Sequence, residues 1–446
     1  MRRTYYPLIL TLCLCFAIGS ARSAMALPSY ARQTGLPCSG CHYTPPELNP
    51  AGRLFKLMGY TDRMKNDSIT TDGDKRRAPL NMLKSLPLGA WFEASLTDLK
   101  TAQPGTQNST AEFPQDFSLF LSGAWTAHVG SFFQVTYDAQ KDNLSMDNTD
   151  IRYASTRMFG QKELDWGITM NNNPTVEDLW NSTPAWGYPF ILSDSAPTPA
   201  ASPFLDGSLA QDVAGVGAYA LYDHHFYAAG TLYRSDHIGS PQPNTGAGAN
   251  VNISGVAPYW RVAWQRTDRL NDIEVGAYGM HMASMPNAVT GPTNNYTDFG
   301  PDFQYNRTIG RDVLSVRGSY LRENSNLAAS FAAGAASVAQ NHLNEANANV
   351  EYHFGNRLSG ALGWFSTTGT TNPLLYSAAS VSGSANGNPK SRGLIGFLSW
   401  WPAQNLELAA QYTGYTSFNG GTTNYDGSGR NASANNTLYL LSRFIF

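Results

Sequence analysis

Beyond residue 86, apolar and polar positions alternate with period two through most of the chain. Leu88, Ala90, Phe92, Ala94 and Leu96 interleave with Gly89, Trp91, Glu93, Ser95 and Thr97. Val256, Pro258, Trp260, Val262 and Trp264 interleave with Tyr259, Arg261, Ala263 and Gln265. One apolar face per segment is the strand pattern. The same reading predicts strands at 88–97, 117–127, 131–141, 149–158, 163–170, 212–222, 225–234, 254–266, 271–281, 296–306, 312–322, 343–354, 357–367, 391–401, 405–416 and 436–446, sixteen in all. Their connections fall into two classes. Tight links such as Val129-Gly130, Asp223-His224, Gly355-Asn356 and Pro402-Ala403-Gln404 alternate with long polar stretches such as 235–253 and 368–390. Short turns on one side and long loops on the other predict an all-β, sixteen-stranded antiparallel outer-membrane barrel, with turns in the periplasm and loops outside. The last strand, with Leu438, Leu440, Ser442, Phe444 and Phe446 on one face, has the terminal aromatic expected of a barrel-sorting signal.

Composition agrees with strands rather than helices in lipid. Mean hydropathy is -0.31 and, past the N-terminal leader, no run of 18 apolar residues exists to make a helical span. Arg2 and Arg3, the apolar stretch Leu8 to Gly19 and the small-residue site Ala24-Met25-Ala26 read as a secretory leader. The expected organisation is therefore a signal peptide at 1–26, a small domain with linker at 27–85, and the barrel at 86–446. Loss of Arg2, Arg3 and Arg22 with the leader makes the mature chain more acidic than its formal charge of -3. That balance gives no support to nucleic-acid binding.

The small domain carries Cys38-Ser39-Gly40-Cys41-His42. Two thiols at this spacing can add across the two vinyl groups of a porphyrin, and the next residue supplies an axial nitrogen, so the motif predicts one covalent haem c with His42 as proximal ligand. A thioredoxin-like pair would want a βαβ setting, and a zinc site a second ligand pair. Neither is in the sequence, whose other cysteines, Cys13 and Cys15, lie in the leader. The opposite axial position is open to Met58, Met64 or a barrel histidine, and Met58 could equally pack against the ring. Arg32, Arg53 and Lys56 read either as partners of the haem propionates or as a solvated charged face. Tyr30, Phe55 and Tyr60 are expected on the porphyrin edge, and His128, His224 and His225 at solvated turns.

The segment 28–60, with Pro28-Ser29-Tyr30-Ala31-Arg32-Gln33-Thr34-Gly35, the CxxCH, Pro46-Glu47-Leu48, Gly52-Arg53-Leu54-Phe55-Lys56 and Gly59-Tyr60, resembles the N-terminal domain of fused outer-membrane cytochrome-porins of the ferrous iron oxidase type. A looser match covers 172–187, and the chain departs from the family at Pro45 and Ala51. The resemblance implies a small, partly helical monohaem domain in or under the barrel, one-electron oxidation of extracellular Fe(II), and a periplasmic c-type cytochrome as acceptor. Outer-membrane lipid would surround the barrel. Another extracellular donor or acceptor, or a porin channel with a haem plug, are the alternatives. The 41 residues from Asn171 to Gln211 form the longest expected connection. Folded inward, it would narrow the lumen and seat the haem domain. Glu177 and Asp178 within it are candidates for Fe(II) capture, since oxygen ligands suit this cation; alternatively the loop only shields the rim.

Overall fold

The alternating segments close into one antiparallel barrel of sixteen strands. The computed structural model describes residues 27–61, 68–70, 81–83, 86–236, 251–286 and 290–446. The strands are β1 (Leu88–Leu99), β2 in three pieces (Thr110–Glu112, Asp116–Leu121, Gly123–Ala124), β3 (Val129–Asp138), β4 (Asn143–Phe159), β5 (Lys162–Asn171), β6 (Val213–Tyr222), β7 (Phe226–Ser235) and β8 (Ala257–Thr267). They continue with β9 (Asn271–Ser284), β10 (Asn294–Ile309), β11 (Asp312–Asn326), β12 (Gln340–Phe354), β13 (Leu358–Gly369), β14 (Ser391–Ala403), β15 (Leu406–Ser417) and β16 (Thr437–Ile445). Closure comes from β16 lying antiparallel on β1, with Thr437 opposite Leu99 and Ile445 opposite Trp91. A closed sheet leaves no unpaired edge, which a bilayer would not tolerate.

Every expected strand is present, and the shifts are at the ends. Val129 and Gly130, read as a turn, belong to β3. The reversal sits at 125–128, where the Thr126 hydroxyl accepts the amides of His128 and Val129 at 3.2 and 2.9 Å. β4 starts six residues before the expected strand: Asn143 to Met146, all exposed, pair with β3 ahead of a bulge at Asp147 and Asn148, after which pairing resumes at Thr149. At the turn end, the links are as short as Gly160-Gln161 and Gly310-Arg311.

The barrel is polar inside and apolar outside. On β8, Trp260, Val262 and Trp264 are exposed while Tyr259, Arg261 and Ala263 are buried. Phe299 and Phe303 of β10, Leu362 and Trp364 of β13, and Leu394, Leu398 and Trp400 of β14 extend the outer belt. The inner wall carries Glu274, Asp302, Gln304, Arg317, Asn349 and Glu351, all buried. This inversion is what lipid outside and a filled polar lumen require. Among the described residues no helix is long and apolar enough to cross a membrane.

What fills the lumen is the N-terminal segment and the long connection. Helix α1 (Pro28–Thr34) stops at Gly35, whose φ of 69° gives the left-handed conformation that glycine adopts at least cost. Helix α2 (Pro50–Leu57) starts at Asn49, whose side chain accepts the amides of Ala51 and Gly52 at 3.0 Å each. Together with the CxxCH turn between them these helices form a plug tied to strands all around the barrel. Tyr30 Oη donates to the Ser131 carbonyl at 2.8 Å (β3), Tyr60 Oη to Asp150 at 2.7 Å (β4) and Tyr219 Oη (β6) to the Leu57 carbonyl at 2.7 Å. Arg53 makes a two-pronged ion pair with Asp272 of β9, at 2.8 and 2.5 Å. Glu47 meets Arg317 of β11 and, at 3.1 Å, His353 of β12. Gly130 of β3 is needed for one of these approaches: a Cβ there would lie 2.3 Å from the Gly59 carbonyl.

The connection 172–212 does fold inward. Leu179 and Trp180 pack with Leu57, Tyr219, Leu221 and Tyr227, while Tyr188 and Ile191 pack on Phe397, Tyr439 and Leu441 of the wall. Carboxylates of the wall hold its backbone, Asp298 accepting the Leu205 amide at 3.0 Å and Glu323 the Phe204 amide at 2.9 Å.

Candidate functional site: a cavity walled by the CxxCH segment

A cavity of about 840 Å³ lies between the plug, the inward connection and the barrel wall. Its size falls within the range of small-molecule and cofactor sites. Cys38, Cys41 and His42 all face it, with Leu27, Ala31, Leu48 and Phe55 as apolar neighbours. A three-residue helical turn, Cys38–Gly40, sets the two cysteines, and the His42 amide donates to the Cys38 carbonyl at 2.9 Å. Helix α2 presses directly on this turn. A Cβ on Gly52 would stand 2.2 Å from the Cys41 carbonyl oxygen, so glycine is required there. His42 Nδ1 is buried without a hydrogen-bond partner. Burial lowers the imidazole to about 4, which keeps it neutral, the form that can donate a lone pair to a metal. Apolar wall, paired thiols and an unpartnered imidazole nitrogen fit a covalently attached porphyrin.

Tyr30, Phe55 and Tyr60 line the cavity, Tyr30 stacking on Tyr60 at 5.6 Å and meeting Phe55 edge-on at 4.9 Å.

The cations of the segment serve the plug instead. Arg32 is exposed and its guanidinium donates to the Leu88 carbonyl. Arg53 is buried in its pair with Asp272 and does not line the cavity. Lys56 does line it, but its Nζ donates to the Asp178 carbonyl at 2.5 Å and to Asn181 Oδ1 at 2.9 Å. Burial, reinforced by the charge of Arg152, lowers its ammonium to about 7. None of the three is left facing the cavity with an unspent charge, which corrects the propionate reading for Arg32 and Arg53 and weakens it for Lys56.

Met58 sits at the C-terminal end of α2, its sulfur accepting from the Thr156 hydroxyl at 3.8 Å, and forms no part of the cavity wall. A methionine at the helix end points toward β4 rather than back over His42. Met64 lies outside the described residues. His353, the barrel histidine nearest the plug, is occupied by Thr44 at 3.0 Å and Ser315 at 3.1 Å as well as by Glu47. Among the described residues lining the cavity there is no methionine and no histidine besides His42. His128, His224 and His225 stand at or beside turns, as the sequence indicates.

Glu177 and Asp178 are not ion-capture groups. Both are fully buried. Asp178 pairs with Arg261 at 3.0 Å and accepts amides from Trp180, Ser182 and Thr183, and the arginine beside it holds its carboxyl below the ordinary range. Glu177 accepts from the Thr231 hydroxyl at 3.0 Å, and burial raises its carboxyl to about 7. These residues pin the connection to the wall, because a carboxylate sequestered in the lumen must find donors there. The carboxylates in reach of the cavity are others: Glu93, Asp116, Asp147, Asp194, Asp206 and Glu345 line it, against two cations, Lys56 and Arg443. Arg443 is itself spent on Glu93 and on Glu407 at 2.7 Å. Carboxylate oxygens of Asp116, Asp138 and Asp194 lie within 4.8 Å of one another. Burial and the neighbouring Asp138 raise Asp194 to about 6. Asp194 belongs to the long connection, and Asp116 and Asp138 reach it only through strand pairing, where they stand opposite each other on β2 and β3.

No protein-family model and no curated protein matches the chain. Among solved structures it is similar to OmpF of Salmonella typhi in complex with daunomycin, at 10% identity and a TM-score of 0.48, covering 80% of this chain and 97% of that one. It is also similar to the outer-membrane channel DcaP of Acinetobacter baumannii (12% identity, TM-score 0.46, 80% and 96% covered). An anion-selective porin from Comamonas acidovorans shows 9% identity and a TM-score of 0.46, with 80% and 98% covered. The chain itself is an outer-membrane, porin-like barrel by its own closed sheet, apolar belt and polar lumen.

Proposed function

We propose that the protein is an outer-membrane cytochrome-porin that takes single electrons from extracellular Fe(II) and delivers them to a soluble periplasmic redox protein, a c-type cytochrome in the simplest case. The observation that carries this reading is the shared wall: the CxxCH segment and a set of carboxylates face the same cavity inside one barrel. Haem c, when bound, supplies a one-electron centre. Cys38 and Cys41 would hold it through thioether bonds and His42 through a ring nitrogen. Leu27, Ala31, Leu48 and Phe55 keep water from that region, while the carboxylates farther along the wall offer oxygen ligands of the kind that suit Fe(II). Fe(II) leaves as Fe(III) and one electron passes inward. No general base is needed. A barrel suits such a donor, since the ferric product is sparingly soluble and is best formed outside the cell.

The plug bears on the channel alternative. It is tied to β3, β4, β6, β9, β11 and β12, so a freely conducting pore would have to expel a segment held by buried bonds. The test of the haem assignment is covalent haem staining of the full chain after denaturing electrophoresis. The wild type should stain and Cys38→Ala with Cys41→Ala should not; a stained double mutant would overturn it.

A further inference from the structure

Three successive turns at the short-turn end of the barrel each carry one exposed arginine: Arg269 between β8 and β9, Arg311 between β10 and β11, and Arg357 between β12 and β13. The turns are neighbours. The Thr308 amide donates to the Leu270 carbonyl at 2.8 Å, and the Gly355 amide to Asp312 Oδ1 at 2.9 Å. The arc of turns runs up to the CxxCH segment. Asn356 Nδ2 donates to Ser39 Oγ at 3.3 Å, and Cys38 Sγ lies 3.5 Å from the carbonyl of Gln404 in the next turn.

The two carboxylates of this arc are held by hydrogen bonds that leave their charge in place, and the three arginines outnumber them. Asp268 accepts the amides of Leu270 and Asn271 at 2.8 Å each, and Asp312 accepts from Tyr352 Oη and the Gly355 amide. Among the described residues, none of the three guanidiniums has a hydrogen-bonded or ion-paired partner. At the opposite end of the cavity the charge has the other sign, with Asp116, Asp138 and Asp194 together.

We propose that Arg269, Arg311 and Arg357 form a docking surface for a protein with an acidic face, seated against the turn-end edge beside the half-buried Ser39. The inference rests on the reading above and adds that electrons leave at this edge. Exposed guanidiniums around an exit edge steer an acidic partner and fix its orientation, and they do so less well as salt screens them. A contact there places an acceptor beside the thiol side of the cavity rather than behind the barrel wall.

The experiment uses the full chain in neutral detergent with two probes of one fold and opposite charge, basic cytochrome c and the same protein succinylated to an acidic form. At low ionic strength the wild type should bind the succinylated probe at least about tenfold more tightly than the basic one, with the preference fading as salt is added. Arg269→Glu with Arg311→Glu and Arg357→Glu should abolish or reverse that preference, while lysine at all three positions should retain most of it. Equal binding of both probes by the wild type, or an unchanged preference in the glutamate variant, would overturn the proposal. So would a preference that the substitutions alter only in nanodiscs of anionic lipid, since the arginines would then serve headgroups. Binding is read without a redox step, so it stands or falls apart from the haem assignment.

Discussion

Replacing Arg53 by Met should loosen the plug by an amount that can be worked from its surroundings. The guanidinium is about 5% exposed and grips both oxygens of Asp272, itself about 9% exposed. Removing one partner of such a pair leaves an uncompensated buried charge, at a cost of about 3–5 kcal/mol. At about 1.4 kcal/mol per factor of ten, the open population of the plug rises roughly one hundred- to a few thousandfold. Trypsin reads that population. Lys56, three residues on, is 5% exposed in the closed protein, and when reclosing outpaces cleavage the rate of cutting follows the equilibrium opening. Limited proteolysis of the folded barrel, with mass spectrometry at Lys56, should therefore show cleavage accelerated by that factor. Arg53→Met with Asp272→Asn should recover most of the protection, since asparagine carries no charge, its Oδ1 can accept from Asn306 and its Nδ2 can donate to the Thr267 hydroxyl, groups that now donate to the two oxygens of Asp272 at 3.0 and 2.7 Å. Cleavage within threefold of wild type in the single variant, or a double variant no better protected, would refute the claim that this pair seats the plug.

Gly52→Ala forces a methyl group into the Cys41 carbonyl and should sharply reduce covalent haem per barrel while the barrel's heat-modifiable gel shift persists, as densitometry of haem stain against protein stain would show. The raised carboxyl of Glu177 predicts a pH dependence with a definite sign. Its folded value of about 7 stands above the ordinary 4.5, so its contribution is fully present below about 4.5 and is lost as pH rises through 7; hydrogen exchange of 173–183 should quicken across that window, and Glu177→Gln should flatten the change. An epitope tag between Thr370 and Lys390 should be reached by antibody on intact cells and one at Gly160-Gln161 should not, the reverse pattern contradicting the orientation.

The barrel was legible because a wall with lipid on one side and a packed lumen on the other writes its period into every strand. β8 and β10 are clear cases, with aromatic and branched residues outward and Arg261, Asp302 and Gln304 inward. Two ends differ from the sequence pattern: the start of β4, where a bulge at Asp147 and Asn148 separates the exposed Asn143 to Met146 from the rest of the strand, and Thr126, where a hydroxyl rather than a glycine sets the reversal. The cysteines and His42 were visible from spacing alone, since their placement in one turn follows from it. The side chains around them were not. Arg53, Lys56, Glu177 and Asp178 all look available for a cofactor or ion in the sequence, yet each is consumed by a partner brought close only by closure of the barrel and folding of its long connection into the lumen, from Asp272 and Asn181 to Thr231 and Arg261. Buried charge needs a partner, and a linear sequence does not say which strand will supply it.

The measurement closest to the central claim is anaerobic stopped-flow mixing of the purified, oxidised full chain with Fe(II). The account predicts that reduced haem bands appear at a rate that rises with Fe(II) concentration. A chain whose covalent haem is reduced by dithionite but remains oxidised in Fe(II), or one that carries no covalent haem, would contradict it.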